Sequence, residues 1–192
     1  MAMVSMVRQG LLLSSLLLFA CRPDEDIPVS YIKAKDSTKA TKAGVTYCSG
    51  RVVNGVVYDL YPSGDTIYVH SYKDGMQDGI SKEWYANRKQ KEIRFYKENR
   101  KVGIHKGRFE NGSPKFIYHF ENDVYEGSVK EWYVTGRLCK DFNYKNGQEE
   151  GWQRMYWDDG KIRMNYQYIN GRKYGLTGVK NCVSVWADSV GH

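Results

Sequence analysis

Six glycines, Gly55, Gly79, Gly103, Gly127, Gly151 and Gly175, stand 24 residues apart with no insertion between them. No other feature of the chain constrains its fold as much. Each unit of such an array is one small supersecondary element that cannot bury its apolar face alone, so neighbouring units must stack. Other columns keep the same register. The sixth residue after each glycine is aromatic throughout (Tyr61, Tyr85, Phe109, Tyr133, Trp157), and so is the seventeenth (Tyr72, Tyr96, Phe120, Tyr144, Tyr168). The ninth reads Gly64, Arg88, Gly112, Gly136 and Gly160.

Within one unit, residues 128–151, the run 129–133 is rich in β-formers and is closed by Thr135-Gly136, where positive φ is easy. A second run covers 138–144 and ends at Asn146-Gly147, a strong hairpin signal that Asp74-Gly75 and Asn170-Gly171 repeat elsewhere. Alternation places Phe142 with Tyr144, Tyr166 with Tyr168, and Phe116 with Tyr118 and Phe120 on one side of their strands. Between them stand mixed residues: Lys91 and Ile93, Lys115 and Ile117, Arg163 and Asn165. Period two with one aromatic side predicts a half-buried antiparallel sheet with an aromatic ladder along the array. The expected fold is therefore all-β: a linear array of about five 24-residue antiparallel β-hairpin repeats over residues 45–182, forming an elongated open sheet.

The run Gly-x-x-x-Glu-Trp-Tyr-x-x-Gly, followed by a strand ending in Tyr and an Asn-Gly or Asp-Gly turn, resembles the MORN repeat. The bacterial variant, found in lipoproteins and in proteins labelled antitoxins, is the nearest likeness. Gly79-Ile-Ser-Lys-Glu-Trp-Tyr85 and Gly127-Ser-Val-Lys-Glu-Trp-Tyr133 carry the resemblance, and 151–160 fits it with Met155-Tyr156 in place of Glu-Trp. The third unit departs most, with Gly107-Arg108 at the Glu-Trp position and Asp123 at the turn glycine. The resemblance covers roughly residues 45–180 and implies a scaffold, a lipid-contact surface, a partner-binding sheet, or an antitoxin or immunity role.

The front of the chain points to an address. Residues 1–20 hold one charge, Arg8, and an apolar run over 11–20, too short for a bilayer span of about 20 apolar residues. They read as a signal peptide. Leu18-Phe19-Ala20-Cys21 resembles a lipobox, with Phe19 where the pattern prefers a small residue, so Cys21 is the expected lipid anchor in a bacterial cell envelope. Residues 21–44, with Asp24-Glu25-Asp26 and scattered lysines, read as a flexible tether. Residues 183–192 read as a terminal cap and tail. The chain carries 29 basic and 22 acidic residues, net +7. In an envelope compartment that balance suits an acidic protein or anionic lipid better than nucleic acid. Cys48 and Cys182 flank the array, whose five hairpins at ~4.8 Å per strand span roughly 50 Å. A bridge between them, needing Cα atoms within ~7 Å, requires the array to close on itself.

No pattern for catalysis emerges. His70, His105 and His119 fall in different columns without metal-ligand spacing. Glu149-Glu150 and Asp158-Asp159 are adjacent, so on a strand their carboxylates diverge. No nucleophile elbow or phosphate loop occurs. The chain is expected to be a non-enzyme without cofactor or metal. Two columns suit binding. Lys82, Lys106, Lys130 and Arg154 follow their glycines by three residues, a basic row roughly 10 Å apart if the strands align. The competing expectation is a solvated face on which Lys82 and Lys130 pair with Glu83 and Glu131. Trp84, Trp132 and Tyr156 follow by five residues and share parity with the basic row. Aromatic and basic side chains on a flat sheet suit protein contacts or glycan stacking, whereas core packing is the plainer role. An unidentified protein is the expected partner, with glycan or anionic lipid as the alternative.

Overall fold

A computed structural model describes residues 30–178 apart from Ser37. The expectations for the signal peptide, for Cys21, for residues 22–29 and for the segment 183–192 with Cys182 lie outside the described residues.

The chain folds into strands β1 (Ser30–Lys33), β2 (Lys39–Lys42), β3 (Val45–Cys48), β4 (Arg51–Val52), β5 (Gly55–Leu60), β6 (Thr66–Lys73), β7 (Met76–Trp84), β8 (Gln90–Lys97) and β9 (Arg100–Lys101). These are followed by β10 (Gly103–Arg108), β11 (Pro114–Glu121), β12 (Val124–Trp132), β13 (Leu138–Lys145), β14 (Gln148–Glu149), β15 (Gly151–Tyr156), β16 (Ile162–Ile169) and β17 (Arg172–Leu176). All but three belong to a 14-stranded sheet in which sequential strands pair antiparallel. Its two ends, β1 and β17, do not meet, so the sheet is open.

Two turns per unit make this possible. At one edge, the pairs Asp74/Gly75, Glu98/Asn99, Asn122/Asp123, Asn146/Gly147 and Asn170/Gly171 all have positive φ at both central positions. That is the type I′ geometry that matches strand twist. Asp123 therefore serves where glycine was expected, because Asp tolerates the left-handed region. The turns also lean on the preceding unit. The amides of Gly75, Asn99, Asp123 and Gly147 donate to the carbonyls of Val53, Gln77, Lys101 and Tyr125 at 2.8–3.0 Å. At the other edge, Tyr61, Tyr85 and Tyr133 of the first aromatic column donate their hydroxyls to the carbonyls of Trp84, Arg108 and Tyr156 one unit on. The three tyrosines of that column are thus clasps between units.

The second aromatic column lies on one face with the buried residues Val57, Phe116, Val129, Phe142, Met155 and Tyr166. The expected ladder is interleaved. Tyr96 meets His105, His105 meets Phe120, Phe120 stacks on Tyr125 at 4.7 Å, and Tyr125 meets Tyr144 at 5.1 Å. In a single-layer sheet such rings supply much of the buried area. The third unit's Gly107 has a packing reason: a Cβ there would overlap the Phe116 ring, its cross-strand neighbour.

The tether expectation needs correcting from Ser30 onward. Tyr31 and Ile32 pair in parallel with Val56 and Val57, covering the free edge of β5. Strands β2, β3 and β4 form a small sheet whose Cys48 packs with Val53, Val57 and Tyr72. Low apolar content over 30–44 hid this, because the stabilisation comes from edge pairing and from Ile32 and Ala34 seated on that cluster.

Candidate functional site: the open face of the sheet

Strand register divides the side chains cleanly. One face is packed. The other carries the predicted basic row, which hydrogen-bonding aligns across successive strands. Lys82 lies opposite Ile93, Ile93 opposite Lys106, Lys106 opposite Ile117, Ile117 opposite Lys130, Lys130 opposite Asp141, and Asp141 opposite Arg154. Cation and isoleucine thus alternate over the first half of the row. With strands ~4.8 Å apart, Lys82 and Lys106 are ~10 Å apart.

The carboxylates expected to neutralise this row point elsewhere. Adjacent strand residues face opposite sides, so Glu83 and Glu131 sit on the packed face. There Glu83 meets His70 at 3.7 Å and Lys91 at 3.0 Å, and Glu131 accepts from Lys140 and from the Tyr118 hydroxyl. The neighbouring His70, reinforced by Lys91, holds the Glu83 carboxyl down at about 2. Glu92 with Arg94 and Glu149 with Lys173 complete the packed-face pairs. Burial pushes the Tyr144 phenol up to about 12.

On the open face the row is uneven. Lys130 pairs with Asp141 at 3.1 Å, and Arg154 lies over the Trp152 ring at 5.1 Å, next to Asp141. Lys82 and Lys106 have no ionic partner among the described residues. Trp84, Trp132 and Tyr156 end β7, β12 and β15 at a register shift and are half-buried. Their role in the fold runs partly through the backbone, since the carbonyls of Trp84 and Tyr156 receive the tyrosine clasps. Trp152, the second residue of β15, is more exposed than any of them at 44%.

The open face also holds apolar residues that the column reading passed over. Phe95 is 37% exposed and Ile104 40%, and both share parity with the row through Ile80 and His119 opposite them. Ile93 and Ile117, isoleucines where a water-facing position would be polar, were the available signal. Between β8 and β10 lies a hollow of about 400 Å³ lined by Ile93, Phe95, Gly103, Ile104 and Lys106.

The residues weighed for chemistry serve the fold. His105 is fully buried, with Nε2 at the amide and carbonyl of Phe95. His119 Nδ1 donates to the Ser128 carbonyl at 2.7 Å. Glu149 accepts from the Tyr166 hydroxyl, while Glu150 reaches Lys145 at 3.9 Å. Among the described residues no three His, Cys, Asp or Glu side chains converge as a metal site. No protein-family model and no curated protein matches this chain.

Proposed function

We infer that this chain is a MORN-type, non-enzymatic binding lipoprotein of a bacterial cell envelope, anchored through Cys21, that presents the open face of its sheet to a protein partner. The observation that carries the reading is the division of the two faces. Charges on the packed face are paired internally, whereas the open face keeps Lys82 and Lys106 unpaired beside exposed Phe95 and Ile104. A surface with apolar centre and charged surround suits macromolecular contact better than solvation.

Crosslinked capture from the native envelope tests this. The wild-type chain should enrich a dominant protein that Lys82→Glu/Lys106→Glu loses. Undiminished capture by that double variant would remove the open face from the account. The exposed Trp152 under Arg154 favours the second reading, direct binding of glycan or anionic lipid. In that case isolated glycan or vesicles retain the chain and no protein is enriched.

A further inference from the structure

The units alternate in a way that the 24-residue period does not announce. β7 and β12 run unbroken into their hairpins, whereas β9 and β14 are separate short strands paired to β8 and β13. At those two places the next strand rejoins the ladder over only two residue pairs: Lys106–Ile93 and Gly107–Glu92 at the first, Met155–Lys140 and Arg154–Asp141 at the second. A long polar side chain bridges each gap. His105 takes the backbone of Phe95, and Gln153 that of Asn143. On the open face the first gap leaves a hollow beside Gly103; the glycine at the equivalent place in the second is Gly151.

The two gaps differ in chemistry at equivalent positions. Around Gly151 stand Asp141, Asn143, Trp152 and Arg154, with Asp141 already paired to Lys130. Around Gly103 stand Ile93, Phe95, Ile104 and Lys106. Here the floor is apolar, and the cations on either side of Ile93 in the row, Lys82 and Lys106, have no partner among the described residues. Charge complementarity then defines the occupant.

We propose that the hollow between β8 and β10 is a docking socket for an extended acidic protein segment, which seats one apolar side chain on Ile93, Phe95 and Ile104 and brackets it with carboxylates on Lys82 and Lys106. Side chains of an extended segment alternate faces, so carboxylates two residues either side of the seated apolar residue point the same way as it does. At about 3.3 Å per residue they span roughly 13 Å, within reach of flexible lysine side chains on strands ~10 Å apart. Within the basic row the two cations without a partner among the described residues both flank this hollow, whereas a lipid headgroup surface calls on charge spread along the whole face. The proposal rests on the binding role inferred above and names the chemistry of the partner.

The test uses the full chain and labelled nine-residue peptides in which leucine lies midway between glutamates four residues apart. Companion peptides carry serine for leucine or lysine for glutamate. Vesicles of phosphatidylcholine and phosphatidylglycerol serve as the lipid probe. Fluorescence anisotropy should show binding of the glutamate–leucine peptide that weakens with salt. It should weaken at least tenfold with Lys106→Glu, with the milder Lys106→Met and with Ile104→Ser. Lys145→Glu, away from the socket, should leave it unchanged, and circular dichroism should show every variant folded. Absent peptide binding, equal binding of the serine version, or indifference to Lys106→Met overturns the socket, as does binding of vesicles alone. If peptides fail while the captured partner still depends on Lys82 and Lys106, only the socket falls and the binding role stands.

Discussion

Arg88 is the one non-glycine in its column, held at φ 67° where Gly64, Gly112, Gly136 and Gly160 have φ of 86–95°. A side chain in the left-handed region costs roughly 1–2 kcal/mol, and the exposed pair of Arg88 with Asp65 offsets little of it. Arg88→Gly should therefore raise the urea midpoint of unfolding; a lowered midpoint would show that the pair outweighs the backbone. Gly107 is the opposite case. Its φ is ordinary, but Phe116 occupies the space of a side chain, so Gly107→Ala should destabilise by about 1–3 kcal/mol through overpacking. Glu83 sets an acid limit. Its carboxyl is held at about 2, chiefly by His70, against an ordinary 4.5. A depressed carboxyl contributes stability that is complete above the unfolded value and lost as pH falls through the folded one. Glu83→Gln should make the loss of stability between about pH 4.5 and 2 shallower, as read by denaturation midpoints; an unchanged slope would assign the acid limb to other carboxylates.

At the scale of the strand, His105 and Gln153 do the same work where the ladder breaks, so the units themselves suggest an exchange. Burial lowers the His105 pKa, with the cations of Arg94 and Lys101 adding to the effect and the backbone groups of Phe95 and Val102 opposing it. The folded state holds the ring neutral, and stability falls as pH drops below the ordinary value of 6.5. His105→Gln should keep its midpoint at pH 7.5 and lose less than wild type on moving to pH 5. Equal losses would place the sensitivity elsewhere. The strands, the I′ turns at Asn146-Gly147 and its equivalents, and the alternation of faces were readable from residue types because each depends on local geometry. The interruptions at β9 and β14 were not, since they show only as a long polar residue in a column otherwise Val57, Ser81 and Val129. Nor was the parallel pairing of β1, whose residues gain their partner from an edge more than 20 positions away in the chain.

For the whole molecule, stability is a sum of units and the interfaces between them. Excising residues 104–127 and joining Gly103 to Ser128 keeps the period, so the shortened chain should retain β circular dichroism and unfold cooperatively with a smaller m value. Loss of folding would mean that the third unit, with its Gly107–Phe116 packing, cannot be skipped. Cys21→Ser should release the chain from membranes, and continued membrane retention would contradict the lipid anchor. Which face is open was only half visible in the sequence. The basic row and the tryptophan column shared parity, but the opposite orientation of Glu83 and Glu131 had to be combined with strand register before Lys82 and Lys106 stood out as unpaired. The most direct measurement is lysine acylation footprinting of the chain in its native envelope against the purified chain. The account predicts strong protection of Lys82 and Lys106 in the envelope, with Lys145 and Lys161 reacting equally in both settings. Equal reactivity of Lys82 and Lys106 in the two settings would contradict an occupied open face.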